Sequence, residues 1–353
     1  MLAMTLMVRD EADIIRPMIE HSLAQGVDLI IVTDNGSVDG TTEILEEFTG
    51  TGQLVLRHDP VHMKQQYSTV TKMARDAASE YHADWVINAD ADEFWQPVAD
   101  GRTLAEVFAR LSPDYRAIEV PVFDMTGAPA LSGTGLQRLL YRDLRPVEDL
   151  RRIGLLAHAT PDTVHVGDPD VEVAQGNHYV NFEPQGEPAE ELRVEVQHFP
   201  WRSWAQFERK VIASGRAYES NATLLPSPNH HGMKEYSRYK LGSLFAAYIT
   251  RHPDQAELTA GIAAGHFVLD ERIARTRTSP VPDVPVDPSV IEVSSALGRI
   301  IFGYETAALD DARRIQQLEA DVAGARAELG RQRARRVVRA ADWIHELRPG
   351  RAH

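Results

Sequence analysis

The sequence predicts an α/β fold with a mostly parallel central sheet and a C-terminal helical extension. Three observations carry this. Short apolar runs alternate with helix-period segments over residues 1 to about 125. Polar or acidic turns directly follow the second and fourth of those runs. Beyond a proline-rich stretch, residues 305–347 keep a helical period.

Met4–Val8 is a short apolar run that suits a buried parallel strand. Residues 12–25 follow, with Ile14, Ile15, Met18, Ile19 and Ser22 at helical spacing. Asp28–Thr33 reads as a second strand and residues 41–48 as a short helix. Leu54–Leu56 is a third strand, residues 66–81 a helix, and Trp85–Asn88 a fourth strand. Strands and helices in this alternation imply right-handed crossovers and a parallel sheet, whose ligands bind beyond the carboxyl ends of the strands.

Residues 117–270 are less regular, and 279–289 (SPVPDVPVDPS) read as a linker. In the helical tail, Ile315, Leu318, Val322, Ala325 and Leu329 form a short heptad seam that fails at Gln332 and Arg336. The expected division is a catalytic domain over 1–275, a linker over 276–304, and a C-terminal helix with a basic end over 305–353.

The 353-residue chain is long enough to bury a large core without staples. Its formal net charge of −15 argues against a general nucleic-acid-binding face. It has no cysteine, so a resident metal would sit on carboxylates, histidines or a bound phosphate, which points to Mg²⁺ or Mn²⁺. The apolar N-terminus meets Arg9 and Asp10 too soon for a signal peptide, and no stretch approaches the ~20 apolar residues of a membrane span. The expected compartment is the cytoplasm.

Two turns carry chemistry. Asp34-Asn35-Gly36-Ser37-Val38-Asp39-Gly40-Thr41 follows the second strand. Asp34 stands where a carboxylate can accept hydrogen bonds from a nucleobase or ribose, and Asp39 or Thr41 can cap the next helix. A polar turn with a capped helix explains the same residues without a ligand. Asn88-Ala89-Asp90-Ala91-Asp92-Glu93 follows the fourth strand. Three carboxylates in four residues repel unless a cation neutralises them, and a divalent ion bridging phosphates does so. A solvated acidic loop is the alternative, which the apolar strand before it and Phe94-Trp95 after it oppose.

With these motifs in view, the chain resembles a family 2-type glycosyltransferase of the GT-A fold, in the subgroup with an Asp-x-Asp-Glu-Phe motif. Val8-Arg9-Asp10-Glu11-Ala12 matches the opening stretch, Asp34–Thr41 the Asp-Asp-Gly-Ser-x-Asp-Gly-Thr motif with Asn35 in second place, and Asp90-Ala91-Asp92 the Asp-x-Asp motif. The likeness covers residues 3–97 best. It implies a nucleotide-diphospho-sugar transferase fold, with Asp34 at the base, Asp90 at the ribose or metal, and Asp92 on a metal holding the diphosphate. It also implies inversion, a UDP-sugar as default donor, and a role in glycan or polysaccharide synthesis.

Gln197–Trp204, with Phe207, Lys210 and Gly215, is similar to a further stretch of that subgroup. His198 is a candidate third metal ligand, and Arg202 and Lys210 can neutralise a diphosphate. A helix with Trp204 and Phe207 packed inward is the alternative. Arg9, Glu11, Asn35 and Lys64 complete the expected donor site. Gly176-Asn177-His178 can line the acceptor pocket, although a satisfied structural histidine is the reading the sequence favours. An inverting transfer needs a general base; Glu183, Glu187 and Asp124 are candidates that the spacing does not separate. The acceptor is expected to be a glycan or lipid-linked hydroxyl. The Arg-rich tail suits contact with the inner face of a membrane, a dimer seam, or simple solvation.

Two rival classes remain. A nucleotidyltransferase also uses paired carboxylates, but it would carry a glycine-rich basic loop where Arg9-Asp10-Glu11-Ala12 stands. A catalytically inactive binding or scaffold protein would not need both Asp90 and Asp92.

Overall fold

The computed structural model describes residues 1–60, 66–112, 114–219 and 231–346. β1 (Leu2–Val8) alternates faces: Leu2, Met4, Leu6 and Val8 enter one apolar cluster and Ala3 the other. Burial on both faces explains why this strand reads as a continuous apolar run. α1 (Ile15–Ala24), β2 (Leu29–Asp34), α2 (Thr41–Thr49), β3 (Leu54–His58), α3 (Gln66–Ser79) and β4 (Trp85–Ala89) continue the alternation. The β1–β2, β2–β3 and β1–β4 pairings are parallel.

The chain continues through β5 (Glu93–Pro97), α4 (Leu104–Phe108), β6 (Ala117–Val120), β7 (Val122–Thr126), β8 (Ala130–Ser132) and β9 (Tyr141–Asp143). α5 (Val147–Arg152), β10 (Asp162–Val166), β11 (Val194–His198), α6 (Trp204–Glu219), α7 (His231–Lys240) and α8 (Leu244–Arg251) follow. α9 (Gln255–Ala264), β12 (Phe267–Leu269), β13 (Val284–Pro285) and α10 (Pro288–Glu346) complete it.

The first sheet has the order β3-β2-β1-β4-β10-β6. β10 is the exception to the parallel expectation for this sheet: it runs antiparallel to both β4 and β6, so β6 keeps the direction of the other four strands. β10 escapes the sequence pattern because Asp162, Thr163 and His165 are polar yet buried. Asn88 links them to β1: its Nδ2 lies 3.0 Å from His165 Nε2, and its Oδ1 accepts from Thr5 Oγ1 at 2.6 Å. Strand order reverses between β1 and β4, and crevices form at such a switch point.

The second sheet, β12-β9-β7-β11-β5, brings β11 beside β5, so His198 pairs in register with Glu93. A charge network ties its far side together. Arg142 donates to Glu195 at 3.0 Å and to Asp270 at 2.8 Å, and Arg272 donates to Asp270 at 2.9 Å and also meets Glu195. Burial alone would raise the Asp270 carboxyl, but the bonds from Arg272 and Arg142 outweigh it and hold Asp270 well below the usual range. A depressed folded pKa contributes stability that is present above the ordinary value of 3.8 and is lost as pH falls through the folded value. Asp270→Asn is therefore expected to lower the urea midpoint by a constant amount from pH 7 to 5. The gap to wild type should narrow below the ordinary value, and a gap that stays constant there would rule the network out as its cause.

The linker expectation over 279–289 needs correction. Thr134 and Val281 exchange hydrogen bonds, Asp283 accepts from the Gly135 amide at 2.9 Å and pairs with Arg138 at 3.2 Å, and Val286 joins the apolar cluster of α6–α8. Prolines lack a donor but leave carbonyls and side chains free to pair. Pro288 opens α10, a position where its missing N–H is not required. Residues 1–299 form one compact unit and 300–353 a second. In the second, Ile315, Leu318, Val322 and Leu329 are exposed. Among the described residues no helix is long and apolar enough to cross a membrane.

Candidate active site

A cavity of about 320 Å³ opens beyond the carboxyl ends of β1 and β4. The turn after β1 supplies Arg9, Asp10 and Glu11, the turn after β2 supplies Asn35, and the turn after β4 supplies Asp90 and Asp92. One face of α6 closes it with Gln206, Arg209, Lys210 and Ala213. These four recur at intervals of three and four, as one helix face requires.

The β1 and β2 turns brace each other. The Asp10 amide donates to Ser37 Oγ at 3.0 Å, the Glu11 amide to Thr41 Oγ1 at 2.8 Å, and the Val38 amide to Asp10 Oδ1 at 2.8 Å. Asp10 adopts φ 56° to do so. Asp34 engages both carboxylate oxygens within this brace: Oδ1 accepts from the Ser37 amide at 3.0 Å and Oδ2 from Thr42 Oγ1 at 2.5 Å. The residue expected at a nucleobase thus holds the loop, while Asn35 beside it lines the cavity.

Asp92 is 2% exposed, and three nitrogens surround its Oδ2. Lys210 Nζ lies at 3.2 Å, Arg202 Nη1 at 3.7 Å and His198 Nε2 at 3.8 Å. Asp90 accepts from Asn177 Nδ2 at 3.1 Å and Gln66 Nε2 at 3.3 Å, and its amide donates to Glu93 Oε2 at 2.9 Å. The carboxylates separate accordingly. Burial, then the Asp92 charge, push Asp90 up to about 6. Burial, reinforced by Asp162, pushes Glu93 well above its usual value. For Asp92 burial is outweighed by Lys210, His198 and Arg202, which hold it below the usual carboxylate range. Asp92 is thus the carboxyl of this turn that its neighbours hold most firmly as an anion.

The donor set bears on a metal. His198 Nδ1 is 2.8 Å from Asp124 Oδ1, which leaves Nε2 turned to Asp92. A carboxylate behind a histidine fixes the tautomer in this way at metal sites. Among the described residues no group of three His, Asp or Glu side chains is arranged to hold a metal ion by itself. Mg²⁺ and Mn²⁺ accept one or two protein donors when phosphate oxygens and water complete the shell. Asp92 and His198 fit a cation held jointly with a diphosphate.

Of the other expected residues, Arg9 and Glu11 line the cavity, and Lys64 lies outside the described residues. Arg202 is 0% exposed and lies beneath the site, where Nε donates to Asp13 at 2.6 Å and Nη2 pairs with Glu11. Asp124, a candidate base, instead positions His198. Glu183 is exposed and does not line the cavity, and Glu187 pairs with Arg193 at 2.8 Å on the surface. Asp13, Gln206 and Arg209 escaped the sequence reading. The helical period through Lys210 was the signal for the last two, and Arg209 Nη2 donates to the Asp10 carbonyl at 2.8 Å.

Residues 3–127 match the family described as Glycosyltransferase family 92. The matched stretch contains the β1, β2 and β4 turns and supports a glycosyltransferase. No curated protein matches the chain. Among solved structures it is similar to S. aureus TarS 1–349, at 12% identity and a TM-score of 0.37 over 71% of this chain and 81% of that one. The same fragment in complex with UDP gives 11% identity, a TM-score of 0.37 and the same coverage. S. aureus TarS itself gives 12% identity and a TM-score of 0.32 over 74% of this chain and 45% of that one. At such scores the fold rests on the chain's own topology.

Proposed function

We propose that this chain is a metal-assisted glycosyltransferase of GT-A type. It moves a sugar from a nucleoside diphosphate to an acceptor hydroxyl with inversion, UDP being the default nucleoside diphosphate. The observation that carries the proposal is Asp92, a buried anion ringed by Lys210, Arg202 and His198 at a strand end inside the cavity.

The walls divide the work. Arg9, Glu11 and Asn35 lie at the β1–β2 side, suited to the nucleoside. Lys210 stands over the acidic turn and Arg209 over the turns after β1 and β2, where they neutralise charge that grows on the departing diphosphate. A cation on Asp92 and His198 supplies Lewis-acid stabilisation of that same charge. Arg202 keeps Glu11 and Asp92 in place from below. Glycan or polysaccharide synthesis, with a glycan or lipid-linked acceptor, is the setting we propose.

Thermal unfolding with UDP, GDP and dTDP, each with and without Mn²⁺, tests this. One nucleotide should raise the midpoint strongly only with Mn²⁺, because a ligand that binds the folded state stabilises it by about 2.7 kcal/mol at 100-fold its dissociation constant. If none raises it under any condition, the chain is a binding or scaffold protein instead.

A further inference from the structure

The transfer proposed above still needs a group that takes the acceptor's proton. Strand order places the possibilities. Nucleoside-side residues follow β1 and β2, the acidic turn follows β4, and β10 lies on the far side of β4. Its first residue, Asp162, is 0% exposed. Asp162 Oδ1 lies 2.8 Å from His178 Nδ1, and Oδ2 has no hydrogen-bond partner among the described residues. A buried carboxylate with one partner orients that partner.

The loop around His178 is built to hold it open beside the acidic turn. Val173 and Val180 bridge its base. Asn177 takes φ 64°, rare for a residue with a side chain, and its amide reaches Asp90. Gly176 has φ 83°, and a Cβ there would lie 3.0 Å from His178 Nε2, so only glycine leaves that nitrogen clear. His178 stands at the margin of the cavity, which its loop enters through Gln175, and its side chain keeps 32% exposure.

On the transferase reading, we infer that His178 is the catalytic base for the acceptor hydroxyl and that Asp162 is its positioning residue. Asp162 holds the proton on Nδ1 and leaves the Nε2 lone pair outward. The acceptor O–H bond breaks to Nε2, and the acceptor oxygen bonds to the anomeric carbon. The bond from that carbon to the β-phosphate oxygen breaks, its electron pair leaving on the nucleoside diphosphate. The Asp162 bond also raises the affinity of His178 for the proton it receives, against burial, with Asp90 adding.

The test uses UDP-glucose, UDP-N-acetylglucosamine and UDP-galactose with water as acceptor, measuring UDP release beside the thermal shift given by UDP. His178→Gln should keep the shift and lose about 10²–10⁴-fold in release. Asp162→Asn, which leaves the imidazole in place but favours the wrong tautomer, should lower kcat with KM unchanged. Added imidazole should restore part of the release in His178→Gly. Wild-type release by His178→Gln, or an Asp162→Asn effect confined to KM, overturns the assignment. No shift with UDP, GDP or dTDP in any of these proteins overturns the transferase reading instead.

Discussion

Asp92→Asn is expected to lower sugar transfer by about 10³-fold, the upper end of what one preorganised electrostatic group supplies. The substitution keeps shape and removes the anion that the turn's neighbours hold most firmly. Lys210, Arg202 and His198 then lose the charge that orients them, and a cation loses its carboxylate donor. The fold should survive, because Arg202 retains Asp13 and Glu11. The Mn²⁺-dependent part of the nucleotide thermal shift should vanish while any metal-independent part remains. A folded Asp92→Asn protein with wild-type turnover would remove the metal assignment. Asp90→Asn should cost less, since Asp90 already accepts from two amides and has been pushed towards its neutral form.

The contrast between these two aspartates marks the limit of the sequence. Both are visible as Asp-x-Asp at a strand end, because β1 and β4 are apolar runs buried on both faces and the turns after them are polar. Their unequal roles are not visible, because the cations that separate them arrive from β11 and α6, more than a hundred residues away. Arg202 is legible as a phosphate neutraliser, yet its short ion pairs run to Glu11 and Asp13, nearly two hundred residues back. Asp34 shows the reverse case. Its motif is local, but the same spacing that suits a ligand also lets Ser37 and Thr42 satisfy the carboxylate. β10 was hidden because polar residues occupy a buried strand. Asp162 acquires its meaning only from His178, a partner on a loop that no periodicity describes.

Arg202→Met should have the largest effect on stability, about 3–5 kcal/mol, the cost of removing one partner from a buried ion network. The guanidinium is 0% exposed and pairs with Glu11 and Asp13, with Asp92 at 3.7 Å. Without it three carboxylates face one another with Lys210 and Arg209 as the neighbouring cations. Arg202→Lys should recover only part of the loss, since one ammonium cannot span carboxylates that a planar fork reaches together. The urea midpoint should fall with an unchanged slope, which separates lost stability from a changed unfolded state. Charge repulsion and lost packing then differ in their pH dependence. Burial already pushes Glu11 up in the wild type, and without Arg202 the largest charge opposing that shift is gone, leaving the smaller effect of Lys210. A carboxyl whose folded pKa is raised contributes stability below its unfolded value of 4.5 and loses it as pH rises through the folded value. The deficit of Arg202→Met should therefore shrink as pH is lowered from 7 towards 4.5. A deficit that stays constant over that range would mean that Arg202 acts by filling space, and that the carboxylates around it are held apart by other groups.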